Sequence, residues 1–121
     1  MKPKIAFHDR KMEIPFKTGF FVRIDKDYDE LMYVIYELPY CWLHFCDSEK
    51  FNVEVSLQIM SASLPAGVFF QCNRSTIVNL YRCQEYDKEM AVIVMEDGSK
   101  HHLSRRRAKD FFCAIYHRPP L

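Results

Sequence analysis

The sequence has few glycines, and its cysteines form no closely spaced pair. It has three glycines, Gly19, Gly67 and Gly98, and each lies between predicted strands, so no glycine-rich phosphate loop is present. The five cysteines are an odd number without a Cys-x-x-Cys pair, which argues against a zinc site and favours buried or free thiols. No apolar run approaches the roughly 18 residues that a membrane helix needs, and no signal peptide is evident. We therefore expect a cytoplasmic protein.

Motifs for catalysis are also missing. The five histidines form no H-x-x-x-H or H-E-x-x-H pattern, and no G-x-S-x-G segment occurs. The paired carboxylates lie in predicted turns, where they are common. The sequence predicts no enzyme, no cofactor and no metal site. Redox sensing by Cys72 stays open as an alternative, because reactivity depends on an exposed, electropositive setting.

The net charge is only +1, but the charge is unevenly distributed. Residues 1–70 carry 8 Lys and Arg against 10 Asp and Glu, whereas residues 71–121 carry 9 against 6. A weakly charged protein can still bind nucleic acid through a local basic patch.

The order of predicted elements indicates one mainly β domain over residues 1–121, with short-stranded antiparallel sheets, one short helix and a C-terminal helix. Residues 25–29 are expected to form a polar turn, and strict alternation places Phe51, Val53 and Val55 toward a core. The predicted strands cover residues 11–16, 20–24, 31–36, 40–46, 51–55, 68–71, 81–86, 91–95 and 100–103, with a turn at 17–19 in the first hairpin.

Two helices are predicted. The first covers residues 56–63, with Leu57, Ile59, Met60 and Leu64 inward. The second starts at Ser104 as N-cap, and its buried stripe contains Ala108, Phe111, Phe112 and Ile115. Residues 117–121 are expected to fray.

Three arginines, Arg105, Arg106 and Arg107, follow Ser104 directly. The positive end of a helix dipole disfavours cations by roughly 0.3–1 kcal/mol each, so the cluster indicates a bound anion, and nucleic-acid phosphate is the best candidate. On an ideal helix Arg106 points away from the apolar stripe. Of His101 and His102, strand alternation predicts that only one faces outward.

With its elements in this order, the chain resembles the LytTR-type DNA-binding domain, the output module of many bacterial response regulators, over about residues 11–115. One matching segment is residues 69–79, similar to the family's F-x-R-x-H-R-S-y-I-V-N signature. The other is Asp97-Gly98 followed by residues 103–107. The family's usual histidine, tyrosine and glycine are Asn73, Thr76 and Val55 here.

The resemblance implies that loops enter successive major grooves of double-stranded DNA. Arg74 and Arg106 are expected at base edges, and Arg105, Arg107 and Lys109 at phosphates. Asn73, Ser75, Ser104 and, from the loop at residues 39–41, Tyr40 complete the predicted DNA-binding set. Asn79 is expected to be structural, closing a turn through the backbone.

The resemblance further implies a bacterial transcription regulator that binds paired direct repeats as two protomers, with dimerisation only on DNA as one option. The length of 121 residues leaves no room for a receiver domain, so we expect control by abundance, a regulatory protein partner, oligomerisation or a ligand. The alternative is a protein-interaction module that retains the fold but not DNA binding.

Overall fold

The computed structural model describes residues 11–15 and 20–120. Within these ranges the chain forms two α-helices, three short 3₁₀ turns and ten strands in three antiparallel sheets, which confirms the predicted fold class. The elements are β1 (Lys11–Pro15), β2 (Phe21–Asp27), β3 (Leu31–Glu37), β4 (Tyr40–Phe45), β5 (Lys50–Val53), α1 (Leu57–Ser63), β6 (Phe69–Asn73), β7 (Thr76–Asn79), β8 (Cys83–Asp87), β9 (Val92–Met95), β10 (Lys100–His102) and α2 (Ala108–Tyr116). No helix in the described part of the chain combines the length and hydropathy that crossing a bilayer would demand.

The largest sheet has five strands in the order β5-β4-β3-β7-β6. Its centre is β3, whose first four residues, Leu31 to Val34, are all buried. A strand covered on both faces carries a continuous apolar run instead of an alternating one. The run therefore reflects the position of β3 between two cores.

The two cores lie on opposite faces of this sheet. Leu31 and Val34 point into the first core, which the β1–β2 hairpin and α1 cover. Met32 and Tyr33 point into the second core, to which the sheet β10-β9-β8 and α2 contribute. The predicted DNA-binding residues other than Tyr40 lie at the β6–β7 turn and where β10 leads into α2.

The helix α1 begins as predicted. The Ser56 hydroxyl accepts a hydrogen bond from the Ile59 backbone N–H at 3.1 Å, a cap typically worth about 1 kcal/mol. Leu57, Met60 and Leu64 are buried, but Ile59 is 45% exposed, so its predicted inward orientation is wrong. Phe51 is likewise exposed, because β5 is an edge strand and only Val53 and the following Val55 reach the core.

Two further features differ from the prediction. The polar segment at residues 25–29 is not a free turn, because β2 continues to Asp27 and a 3₁₀ turn covers Tyr28–Glu30. The strand β7 was not predicted. The first hairpin pairs as expected, with Pro15 opposite Phe21, whereas its predicted turn at residues 17–19 lies outside the described residues.

The C-terminal segment is not frayed. The Arg118 guanidinium donates to the Leu80 carbonyl at 2.8 Å and stands over the Tyr81 ring, 5.3 Å from its centroid. The Tyr81 hydroxyl in turn donates to the Pro119 carbonyl. On α2, Phe111 is buried but Phe112 is 45% exposed and contacts Tyr86 edge-on instead of entering the core.

Candidate nucleic-acid interface

Two segments distant in sequence meet at one surface concavity. One is the tight turn between β6 and β7, residues 73–75, and the other follows β10, residues 104–107. The concavity has a volume of about 490 Å³ and is lined by Asn73, Arg74, Ser75, His102, Ser104, Arg106 and Arg107. We call it the basic concavity. The structure thus brings together six of the nine predicted DNA-binding residues.

Asn73 holds the two segments together. Its side-chain Nδ2 donates to the His102 carbonyl at 2.7 Å, and its Oδ1 accepts from the Ser75 backbone N–H at 2.8 Å and from the Ser75 hydroxyl at 3.1 Å. An amide that both donates and accepts is suited to this bridge. Its hydrogen-bonding groups face the protein, whereas Arg74, at the apex of the turn, is exposed.

Backbone hydrogen bonds seat the arginine-containing segment beside β6. The Ser104 N–H donates to the Cys72 carbonyl at 2.9 Å, and the Leu103 N–H donates to the Ala91 carbonyl at the same distance. The Arg107 guanidinium reaches back to the Gln71 carbonyl at 3.5 Å. These contacts give the turn at residues 104–107 a defined position relative to Arg74.

The start of the C-terminal helix differs from the prediction. Arg105–Arg107 form a 3₁₀ turn, and α2 begins at Ala108. Ser104 precedes the turn, but its side chain makes no capping bond, and its buried Oγ lacks a partner among the described residues. Arg105 and Arg106 are exposed, and Arg107 is half-buried.

The cations of this surface are unpaired within the described ranges. No carboxylate there forms an ion pair with Arg74, Arg105, Arg106 or Lys109. By contrast, the cations of the first hairpin, Lys11, Arg23 and Lys26, each contact at least one carboxylate. Ion pairs with carboxylates of the described residues therefore do not neutralise the positive charge of the basic concavity.

The β3–β4 connection lies beside the same turn. The predicted loop at residues 39–41 is wrong for Tyr40, which is the first residue of β4 and pairs with Glu37. The Tyr36 N–H near the end of β3 donates to the Ser75 carbonyl at 2.7 Å. The β3–β4 connection and Arg74 therefore lie at the same end of the five-stranded sheet, along the strand direction. The connection contains a cis peptide bond between Leu38 and Pro39, and Leu38 is 83% exposed. Tyr40 is half-buried and contacts Trp42 edge-on, outside the lining of the basic concavity. Lys109, the second residue of α2, also lies outside that lining.

The two adjacent histidines face opposite ways, as alternation predicts. His102 is exposed and lines the basic concavity, and His101 is 8% exposed. The His101 Nε2 lies 2.9 Å from the Ser99 hydroxyl. Only His102 is therefore placed to meet a ligand in the concavity.

The Cys72 thiol is poorly suited to redox sensing. Cys72 is fully buried, and burial raises the pKa of its thiol to about 12 despite the nearby Arg107 charge. A thiol that stays protonated is a poor nucleophile. No group of three or more metal-binding side chains occurs among the residues that the structure describes.

An exposed basic surface built from two turns on a β-rich body, with no carboxylate partner among the described residues for Arg74, Arg105 or Arg106, is typical of a nucleic-acid-binding module. The particular family follows from the sequence: residues 19–115 match the model of the LytTr DNA-binding domain, and the chain belongs to this family. The predicted resemblance is confirmed. Membership supports DNA binding, and the family is not an enzymatic one.

A solved structure has the same fold. It is the LytTr DNA-binding domain of a putative methyl-accepting/DNA response regulator from Bacillus cereus, with a TM-score of 0.69 and 22% sequence identity. The match covers 88% of this chain and 98% of that one. No curated protein sequence matches the chain.

Proposed function

We propose that this chain binds double-stranded DNA sequence-specifically as a transcription regulator, with two turns of the basic concavity entering the major groove. Arg74 and Arg106 would contact base edges, because a guanidinium fork matches guanine O6 and N7. Each such pair is worth about 1–3 kcal/mol of discrimination against a wrong base.

The remaining predicted residues have supporting roles in this proposal. Arg105, Arg107 and Lys109 contact phosphates, which position the protein without reading sequence. Ser75 and Ser104 line the basic concavity as the further predicted phosphate contacts. Each hydroxyl would have to reorient to donate to phosphate, because the Ser75 hydroxyl donates to Asn73 Oδ1 and the Ser104 Oγ is buried. Tyr40 contacts the duplex from the start of β4. Asn73 acts by positioning Arg74, since its amide bonds to His102 and Ser75.

One observation carries the proposal. Arg74 and Arg106 are 32 positions apart in the sequence, yet they line one concavity and have no carboxylate partner among the described residues. Two exposed guanidinium groups held apart by rigid backbone can read two points of one groove. Internal salt bridges would have implied a structural role instead.

Binding to direct repeats follows from the same proposal. A single domain offers two short turns, which contact few base pairs, so specificity across a genome favours two protomers on paired sites. In the predicted arrangement the protomers bind repeats in the same orientation. Dimerisation then depends on DNA.

The test is an affinity series on a duplex from the upstream region of the chain's own gene. Arg106→Ala should weaken binding to this duplex by about tenfold or more and relax its base preference. Lys109→Ala is the matched control for charge. It should weaken binding to all sequences similarly and flatten the dependence of affinity on salt.

The alternative, a protein-interaction module, gives a different result. Such a module would elute early from heparin in a salt gradient and would not shift any duplex. Unchanged DNA affinity in both variants would contradict the assigned surface even if the wild-type protein binds DNA.

A further inference from the structure

A cluster of three rings joins the two sheets behind the basic concavity. Tyr33 on β3 stacks on His44 of β4, with centroids 4.6 Å apart and planes 18° apart. The same Tyr33 ring contacts His101 on β10, with centroids 4.3 Å apart and planes 51° apart. His101 is thus the contact of β10 with the central strand of the five-stranded sheet.

Hydrogen bonds extend this cluster to the turn before β10. The Ser99 hydroxyl donates to Asp97 Oδ1 at 2.5 Å and lies 2.9 Å from His101 Nε2. The Tyr33 hydroxyl donates to Asp97 Oδ2 at 3.2 Å. The Ser99 hydroxyl has one proton, which it donates to Asp97, so it can only accept a hydrogen bond from His101. The neutral His101 ring therefore carries its proton on Nε2, and Nδ1 is unprotonated.

The charged groups around the two imidazoles act in opposing directions. Burial lowers the pKa of His101; the Asp97 carboxylate opposes this effect and His44 adds to it. Burial and the Lys50 ammonium lower the pKa of His44, opposed by Asp97 and Glu37. The pKa values of both rings are therefore lowered, and a charge on His44 would further disfavour protonation of His101.

The cluster is directly connected to the basic concavity. His101 precedes His102, whose carbonyl accepts the Asn73 bond, and two residues later the Ser104 N–H bonds to Cys72. A shift of β10 away from β3 would move the anchor of the Arg74 turn and the start of the arginine turn together. The position of β10 therefore controls both halves of the proposed DNA-binding surface.

We propose that His101, packed between Tyr33 and Ser99, is a pH-sensitive joint whose protonation in mildly acidic solution loosens β10 and weakens DNA binding. The DNA part of this inference rests on the proposed function. A positive charge on the His101 ring would be poorly hydrated between the two sheets, because His101 is 8% exposed.

The sign of the effect on stability follows from the direction of the pKa shifts. A histidine whose folded pKa lies below its unfolded value of about 6.5 binds more protons when unfolded. Stability is then fully present above pH 6.5 and falls as the pH drops from 6.5 through the lowered folded values.

The experiment compares the wild-type protein with His101→Gln, whose amide can replace the Nε2 bond to Ser99 without titrating. Urea unfolding and DNA affinity are measured at pH 7.5 and pH 5.5. On acidification we expect the DNA dissociation constant of the wild-type protein to rise at least about threefold more than that of His101→Gln. The excess should not exceed about tenfold, because pH 5.5 lies one unit below the unfolded histidine pKa of about 6.5. By reciprocity, bound DNA should lower the His101 pKa measured by NMR.

One control variant and one substitute for the test variant accompany this comparison. His117→Gln removes an exposed histidine outside the joint and should follow the wild-type pH profiles. His101→Phe keeps a ring against Tyr33 and replaces His101→Gln if the latter does not fold. Both variants retain His102, so the charge that His102 gains in acid is common to all proteins compared.

Each outcome of these measurements tests a separate part of the proposal. Parallel pH profiles of wild type and His101→Gln in unfolding and in binding would overturn the joint. A difference in unfolding without one in binding would overturn its link to DNA. If the wild-type protein binds no duplex at either pH, the proposed function fails, and the unfolding comparison alone decides whether the joint exists.

Discussion

The Nδ2 of Asn73 lies 2.7 Å from the carbonyl oxygen of His102, a residue 29 positions further along the chain. This bond joins the two turns that carry the exposed arginines. A side chain predicted to contact DNA thus also has a structural role, since the same amide accepts two hydrogen bonds from Ser75.

Replacing Asn73 tests this role. Asn73→Ala removes the three hydrogen bonds to His102 and Ser75, each with a typical net value of about 0.5–1.5 kcal/mol, together with a weak one to the Cys72 Sγ, and leaves the His102 carbonyl without this partner. We expect a stability loss of about 1–3 kcal/mol in urea unfolding and a DNA affinity at least about fivefold weaker. Asn52→Ala, an exposed amide on β5, is the control and should change neither. Wild-type affinity in Asn73→Ala would show that the bridge does not position Arg74.

The Asn79 amide has a comparable role inside the core. It is fully buried, donates to the Leu31 carbonyl at 2.9 Å and accepts from the Tyr81 N–H at 2.9 Å. Asn79→Ala removes the partner of one buried backbone group, the Leu31 carbonyl, and of one part-buried group, the Tyr81 N–H, at a cost of about 1–3 kcal/mol for a buried group left unpaired. We expect the urea midpoint to fall strongly, whereas Gln84→Ala on the exposed face of β8 should leave it unchanged. A loss below about 1 kcal/mol would mean that water replaces both bonds.

Thiol labelling tests the assignment of the cysteines. Cys46 and Cys113 are exposed, whereas burial raises the pKa of Cys41 to about 11 and those of Cys72 and Cys83 to about 12. Iodoacetamide at pH 8 should therefore modify two thiols rapidly in the folded protein and all five in urea. Rapid labelling of Cys72 without urea, read by mass spectrometry, would reopen a redox role.

Most strands were predictable because their patterns or turns are local. The Asp97-Gly98 turn is an example, since Gly98 has a φ of +82° that an L-residue adopts only at a cost. The strand β7 was missed because it is short, follows a turn of two residues and is buried on both faces, so it has no alternation. Its position between β3 and β6 depends on tertiary pairing.

The site was predictable in its residues but not in its geometry. The arginines of residues 105–107 stand out in the sequence, yet a helical wheel placed them on an α-helix that starts three residues later. The inward orientations expected for Phe51, Ile59 and Phe112 failed, since periodicity does not reveal which edge or end of an element lacks a neighbour. The partners of Asn73 could not be inferred, because the His102 carbonyl comes close only after β10 docks.

The 3₁₀ conformation of Arg105–Arg107 determines how these side chains are distributed. With three residues per turn, successive side chains diverge by about 120°, compared with about 100° on an α-helix. The three guanidinium groups therefore point in three directions about the axis: those of Arg105 and Arg106 are exposed, whereas that of Arg107 reaches the Gln71 carbonyl. In the proposed complex a duplex would meet the two exposed cations on different sides of one turn, so a segment of three residues can contact DNA without a long recognition helix.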